Sequence, residues 1–268
     1  MKVCHVNFAR GYRGGERQTE LLVRGLAELG LEQRVVVRRD SPLLERLRGV
    51  RRVERIGLRQ PVLLQPWAAR GCVLTHAHEA RAAHYAHVAY RITGTPYVLT
   101  RRWTRRPSAG LATRAVYRHA TRVIAISSVI EREIREYSPA TPLVRIPSMA
   151  GHLRADAVAV GAIRRRFAGD YLLVQVGALV RGHKGQHVLL EALRRLDLPN
   201  ARVIFLGEGR DRAALEAQAA GLRVTFTGFV DAVADWIAAA DIIVYPSLVE
   251  GLGSALLDAM EHGRPIIA

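Results

Sequence analysis

Short apolar runs rich in β-branched residues alternate along this chain with longer stretches in which apolar positions recur every three to four residues. The first kind falls at residues 3–8, 33–37, 72–75, 97–100, 123–126 and 143–146, and the second at 16–29, 80–92, 111–119 and 130–137. Near-continuous apolar strands suit a parallel sheet covered on both faces, and their alternation with helical periodicity marks βαβ units. The pattern weakens between Pro147 and Asp170, where Pro147, Gly151, Gly161 and the charged run 164–166 intervene. That interruption predicts two α/β lobes, residues 1–150 and 151–268. The second lobe repeats the alternation, with strands at 172–176, 203–206, 224–227 and 242–245 and helices at 186–196, 212–220 and 233–240. Residues 265–268 read as the opening of a further strand, so the second lobe is expected to be incomplete and the chain truncated at its C-terminus.

Composition adds little until charge is divided between the lobes. The net charge is +16, yet residues 1–150 carry 27 Lys or Arg against 11 Asp or Glu, and residues 151–268 carry 13 against 13. The whole excess lies in the first lobe, which is therefore expected to meet something anionic: a phosphorylated glycolipid, a membrane surface or nucleic acid. The opening residues read as a first strand rather than a signal peptide, and no window holds the roughly 20 apolar residues that a membrane span requires. Cys4 and Cys72 sit in apolar runs, which favours buried, reduced thiols in a cytosolic protein.

In open parallel sheets, ligands bind where strand ends lead into helix N-termini that carry free N–H groups and a positive dipole. Gly177, Gly207 with Gly209, and Gly228 follow three strands of the second lobe, and the run PSLVEGLGSALLDAMEHGRP follows the fourth. In that run Gly251 and Gly253 permit close backbone approach, and a helix is expected from about Ser254 to just before Gly263. Glu250 lies in the loop and Asp258 eight residues on. Two carboxylates so placed suit the vicinal hydroxyls of a sugar and a ribose.

The segment YPSLVEGLGSALLDAMEHGRPIIA resembles the signature of the family 4 retaining glycosyltransferases, which have the GT-B fold of two Rossmann-like lobes facing across a cleft. The resemblance implies that Glu250 contacts the transferred sugar and that Asp258 stands where a glutamate usually binds the nucleotide ribose. The family also places a glycine after the first strand of the C-terminal lobe, followed by a basic pair that neutralises the diphosphate. In VGALVRGHKGQHVLLEAL these correspond to Gly177 and Lys184; the family's arginine falls at Ala178, with Arg181 in the same loop as its substitute. Lys2 and Lys184 are the two lysines of a chain with 40 basic residues, so a lysine at that place is not background.

Similarity extends to the first lobe. GYRGGERQTELLVRGLAELG is similar to the family's first loop and helix, in which Gly14 and Gly15 match paired glycines that approach the diphosphate and sugar. Glu16 opens the helix, where a carboxylate favours the dipole, and is not taken as catalytic. Gly11, Gly14 and Gly15 lack the GxGxxG spacing of a dinucleotide site. VLTHAHEARAAH resembles the family's histidine segment, with His78 as first choice for the imidazole near the anomeric centre and His76 as second. No third metal ligand suggests itself beside them and no DxD motif is present, so neither metal nor cofactor is expected. YVLTRRWTRRPSAG sets Arg101, Arg102, Arg105 and Arg106 around Trp103 as a patch for a phosphorylated acceptor or anionic lipid.

The expected function is transfer of a sugar from a nucleoside-diphosphate donor to a hydroxyl, with Glu250, His78 and Lys184 as catalytic residues. The expected acceptor is a cell-envelope glycolipid or polysaccharide, and the expected location is the cytoplasm, peripherally on the inner face of the plasma membrane. The rivals are an inactive nucleotide-sugar-binding fragment, an epimerase or phosphorylase of the same architecture, and a basic nucleic-acid-binding protein.

Overall fold

A computed structural model of the chain describes residues 1–196 and 198–268. They form two compact units, Met1–Ser148 and Met149–Ala268, so the division falls just before the Ala150 boundary expected from the sequence.

The first unit runs β1 (Lys2–Asn7), α1 (Gly14–Glu28), β2 (Glu32–Arg38), α2 (Pro42–Arg46), β3 (Val53–Leu58), β4 (Leu74–Ala77), α3 (Ala80–Thr93), β5 (Tyr97–Arg101), α4 (Leu111–His119), β6 (Arg122–Ala125), α5 (Ser128–Tyr137) and β7 (Leu143–Arg145). All seven strands pair in parallel in the order β3-β2-β1-β4-β5-β6-β7. Val23, Val35, Val37, Leu43 and Leu47 pack one patch of core between sheet and helices. Strand β3 was not legible as a strand, because Glu54 and Arg55 break its apolar run. An edge strand buries only part of its surface and tolerates such charges; here Glu54 pairs with Arg34 and Lys2.

The second unit runs α6 (Ala157–Arg166), β8 (Tyr171–Val176), α7 (Arg181–Lys184), α8 (Gln186–Arg195), β9 (Ala201–Leu206), α9 (Arg212–Gln218), β10 (Val224–Gly228), α10 (Val233–Ala239), β11 (Ile242–Val244), α11 (Ser254–Glu261) and β12 (Ile266–Ile267). Its parallel sheet has the order β10-β9-β8-β11-β12. Successive residues of β9 serve opposite faces: Val203 and Phe205 pack with Leu189, Leu190 and Leu215, whereas Ile204 and Leu206 pack with Ile237 and Ala259. This double-sided burial explains the uninterrupted apolar runs. Helix α6 occupies the stretch whose pattern weakens. Asp156 caps it by accepting the N–H groups of Val158 and Ala159, and Arg164, Arg165 and Arg166 lie in its last turn, where cations favour the dipole.

Both sheets reverse strand order once, between β1 and β4 in the first unit and between β8 and β11 in the second. In a doubly wound sheet the loops leaving those neighbouring strands part to opposite faces and leave a crevice at the strand C-termini. Each candidate cluster lies at such a point. Among the described residues, no helix is long and apolar enough to cross a membrane.

Candidate functional site

In the second unit, β8 leads through Gly177 into α7, and β11 leads into the loop carrying Glu250. Three contacts hold these segments together. Leu248 donates its N–H to the His183 carbonyl at 2.9 Å. Buried Gln175 on β8 donates its amide to the Lys184 carbonyl at 2.7 Å. Gly185, between α7 and α8, has φ +64°, and a Cβ there would lie 1.9 Å from the Pro246 carbonyl oxygen, so the close approach of the two segments requires glycine.

The result is a convergent group of three side chains. Lys184 Nζ forms a short ion pair with Glu250 and donates to Tyr245 Oη at 3.2 Å, while the Tyr245 hydroxyl donates to Glu250 Oε2 at 2.8 Å. Tyr245 is buried, and that burial, reinforced by the Glu250 carboxylate, raises its pKa and keeps its proton in place as a donor. Lys184 and Glu250 remain partly exposed, at 20% and 29%, and so remain open to a ligand. The arrangement offers a cation, a hydroxyl and a carboxylate within one hydrogen-bonded group. Sequence reasoning missed Tyr245. Its signal was an aromatic residue directly before the loop that also carries Gly253, at which a Cβ would approach the tyrosine ring to 2.8 Å.

Other residues expected at the donor site have different surroundings. Asp258 is 1% exposed and accepts the Gly151 N–H at 2.9 Å, so its carboxylate braces the segment before α6. A Cβ at Gly209 would meet the Leu179 carbonyl oxygen at 2.3 Å, which makes that glycine a packing requirement. Gly177 lies against the methylene stem of Lys184, 3.6 Å from its would-be Cβ. Arg181 is exposed; its backbone N–H donates to Asp211 at 2.8 Å. Gly251 sits in the bend between Glu250 and α11.

In the first unit the paired glycines lie at the start of the first helix. Gly14 and Gly15 are the first two residues of α1, and the Glu16 carboxylate accepts the Arg13 N–H at 2.9 Å in a capping box. Burial raises the Glu16 pKa against these hydrogen bonds. His78 follows β4, and with His76 it meets a third imidazole, His5, whose position on β1 pairs in register with His76. That corrects the expectation that no third ligand joins the HxH pair. The sequence separation of His5 concealed it; only the β1–β4 pairing brings it in. The three are 1%, 8% and 3% exposed, and their nearest ring nitrogens lie within 4.8 Å of one another. Burial holds all three below the usual histidine pKa, His5 at about 4, so each is neutral at pH 7.

The arginine patch does not act as one group. Arg102 turns inward: its side chain lies 3.6 Å from the Cβ position of Gly15, Arg102 donates to Ser148 at 3.3 Å, and burial lowers its pKa to about 10 despite Glu16. Its charge also helps keep His76 and His78 neutral. Arg106 instead pairs with Glu133 and Glu136 on α5, and Arg101 donates to the Arg105 carbonyl. Arg105 and Trp103 are exposed.

Comparison with known proteins agrees with both units. Residues 12–149, just over half of the chain, match the family model Glycosyltransferase Family 4, and residues 170–268 match Glycosyl transferases group 1. The chain is 26% identical over 293 residues to the lipopolysaccharide core biosynthesis glycosyltransferase LpsE of Rhizobium meliloti (strain 1021), covering 100% of this chain and 78% of that protein. It is 29% identical over 315 residues to a 2-deoxystreptamine glucosyltransferase of Streptomyces kanamyceticus, covering 91% of this chain and 78% of the other. Among solved structures, Anabaena HepE in complex with UDP and glucose superposes with a TM-score of 0.87 at 20% identity, over 100% of this chain and 80% of that one. The two tandem parallel sheets, the glycine-bearing strand ends and these matches together establish that the chain is a glycosyltransferase of GT-B fold belonging to glycosyltransferase family 4.

Proposed function

We propose that the chain transfers a sugar from a nucleoside-diphosphate donor to a hydroxyl acceptor with retention of anomeric configuration, without a metal or other cofactor. The observation that carries this reading is the hydrogen-bonded group of Lys184, Tyr245 and Glu250 at the strand-order reversal of the second sheet. Lys184 neutralises the diphosphate as it departs, Glu250 orients hydroxyls of the transferred sugar, and Tyr245 holds the two in register. HepE, crystallised with UDP and glucose, supports a nucleotide-sugar donor. In the first unit, Gly14 and Gly15 open α1, whose N-terminal dipole suits an anion, and in this reading His78 hydrogen-bonds a sugar hydroxyl. Attack comes from the donor's front face, assisted by the departing phosphate, since no side chain is assigned as a covalent nucleophile.

The acceptor in this reading is an anionic glycolipid or polysaccharide of the cell envelope, met by a cytoplasmic enzyme at the inner membrane surface. The concentration of basic charge in residues 1–150 and the lipopolysaccharide role in the name of LpsE support it. Thermal shift across UDP-, GDP- and ADP-sugars identifies the donor, because a ligand that binds only the folded state raises its melting temperature. Product analysis with that donor then reports transfer and its stereochemistry. Loss of one charge-assisted contact costs roughly 1.5 to 3 kcal/mol, or about ten- to a hundredfold in kcat/KM, for Glu250→Gln and for Lys184→Ala. Parent-like turnover by both variants would refute the site assignment.

A further inference from the structure

Large apolar side chains exposed singly are ordinary on a protein surface, but between β3 and β4 three of them stand together. The chain there makes two 3₁₀ turns, Val62–Leu64 and Pro66–Ala69. Val62, Pro66 and Ala69 are buried and anchor the turns, whereas Leu63, Leu64 and Trp67 are 39%, 67% and 61% exposed. The backbone beneath them is held from three sides. Tyr85 on α3 donates its hydroxyl to the Gln65 carbonyl at 2.9 Å, Gln65 donates its amide to the Arg59 carbonyl at 2.8 Å, and Arg34 on β2 donates to the carbonyls of Ala68 and Arg70 at 2.9 and 2.8 Å. So fixed, the turns present an apolar ridge to solvent. Cations surround it. Arg59 and Arg70 bracket the ridge in sequence, and Arg10 and Arg81 join Leu63, Phe8, Glu79 and His84 in lining a pocket of about 560 Å³. All four arginines are exposed, and none has a carboxylate partner among the described residues. The carboxylate in the pocket, Glu79, already accepts the N–H groups of Phe8, Arg81 and Ala82. Around Trp103, by contrast, Arg106 is tied to Glu133 and Glu136 and Arg102 turns inward.

We propose that residues 59–70 are a membrane-docking element, in which Leu63, Leu64 and Trp67 enter the head-group region of an anionic bilayer while Arg59, Arg70, Arg10 and Arg81 meet its lipid phosphates. Each component suits that occupant: leucine reaches the acyl boundary, tryptophan rests at head-group level, and unpaired guanidiniums bind phosphate. Nucleic acid would satisfy the arginines but leave the leucines in water. The pocket beside Leu63 lies where β1 and β4 end, since Phe8 and Glu79 follow those strands. A lipid whose tails stay in the bilayer can therefore place its phosphorylated head at the strand-order reversal of the first sheet. Delivery of an acceptor in this way rests on the function proposed above; the docking does not.

Co-flotation of the full chain with vesicles tests this at physiological salt. The parent is expected to bind vesicles of phosphatidylcholine mixed with phosphatidylglycerol and to bind phosphatidylcholine alone far more weakly. Leu64→Ser and Trp67→Ser, at exposed positions, should each weaken binding about tenfold with the melting temperature unchanged. Arg59→Gln combined with Arg70→Gln should weaken it about fivefold for each charge removed. Acyl-brominated lipids quench a tryptophan that enters the bilayer; quenching should persist in Trp103→Phe and be lost in Trp67→Phe. Absence of vesicle binding, binding that survives both serine variants, quenching that belongs to Trp103, or loop-dependent binding to a DNA duplex in place of vesicles would overturn the proposal. Loop-dependent docking in a chain that binds no nucleotide sugar removes the proposed function instead and leaves the docking element standing.

Discussion

Buried neutral histidines should make the first unit sensitive to mild acid, and the size of the effect follows from His5. Its pKa falls from an ordinary 6.5 to about 4 because burial penalises the charged ring. Between these values the unfolded chain binds a proton that the folded chain refuses, so stability rises with pH across that window. The contribution is intact above pH 6.5, declines as pH falls and is fully lost below about pH 4. At pH 5.0 the two titrations differ by about 2 kcal/mol for His5 alone, and His76 and His78 act in the same direction. Carboxylates held low by arginine partners, such as Asp170 and Asp241, lose their contribution below this window. His87, also lowered chiefly by burial, falls within it, so the parent must be compared with His5→Asn. In urea melts, about 2 kcal/mol displaces the midpoint by roughly 1 M at the slopes usual for small domains. The parent midpoint should drop by at least that much between pH 7.5 and 5.0, and His5→Asn should drop by about 2 kcal/mol less. Parallel pH dependences in the two proteins would refute the argument that His5 is neutral in the fold.

Gly185→Ala combines a left-handed φ with a Cβ placed 1.9 Å from the Pro246 carbonyl, and should destabilise the second unit by about 2 kcal/mol or more in denaturant melts. Tyr245→Phe keeps the ring and removes the hydroxyl between Lys184 and Glu250; kcat/KM should fall about tenfold with the melting temperature little changed, and parent-like kinetics would remove Tyr245 from the site. Asp258→Ala strands the Gly151 N–H and should cost about 1 to 3 kcal/mol of stability. If donor affinity collapses at unchanged stability instead, Asp258 is a ribose ligand after all.

Much of the architecture was legible because burying both faces of a parallel sheet leaves continuous apolar runs, as in β8 and β9. Strand β3 and helix α6 escaped for the complementary reason: an edge strand can carry Glu54 and Arg55, and α6 contains no fully buried residue. In the site, Lys184 and Glu250 stood out by rarity and spacing, and both lie in the convergent group. For Asp258, spacing along a helix did not say that the carboxylate would also meet the Gly151 N–H. His5 carried no local signal, since its meeting with His76 and His78 depends on the β1–β4 pairing. The arginine run showed charge but not direction, and only the fold separates Arg102, turned inward, from Arg106, tied to α5.

The slot that houses Lys184 also bears on which cation can work there. Its alkyl stem runs beside Gly177, and its ammonium ends 5.3 Å from the centre of the Tyr245 ring. A slim flexible stem ending in a compact charge fits that passage, whereas a flat guanidinium is wider and fixes its donors in a fork. Replacing Lys184 by arginine therefore preserves charge but not shape, and in a protein that uses arginine almost everywhere else this is the position least able to accept one.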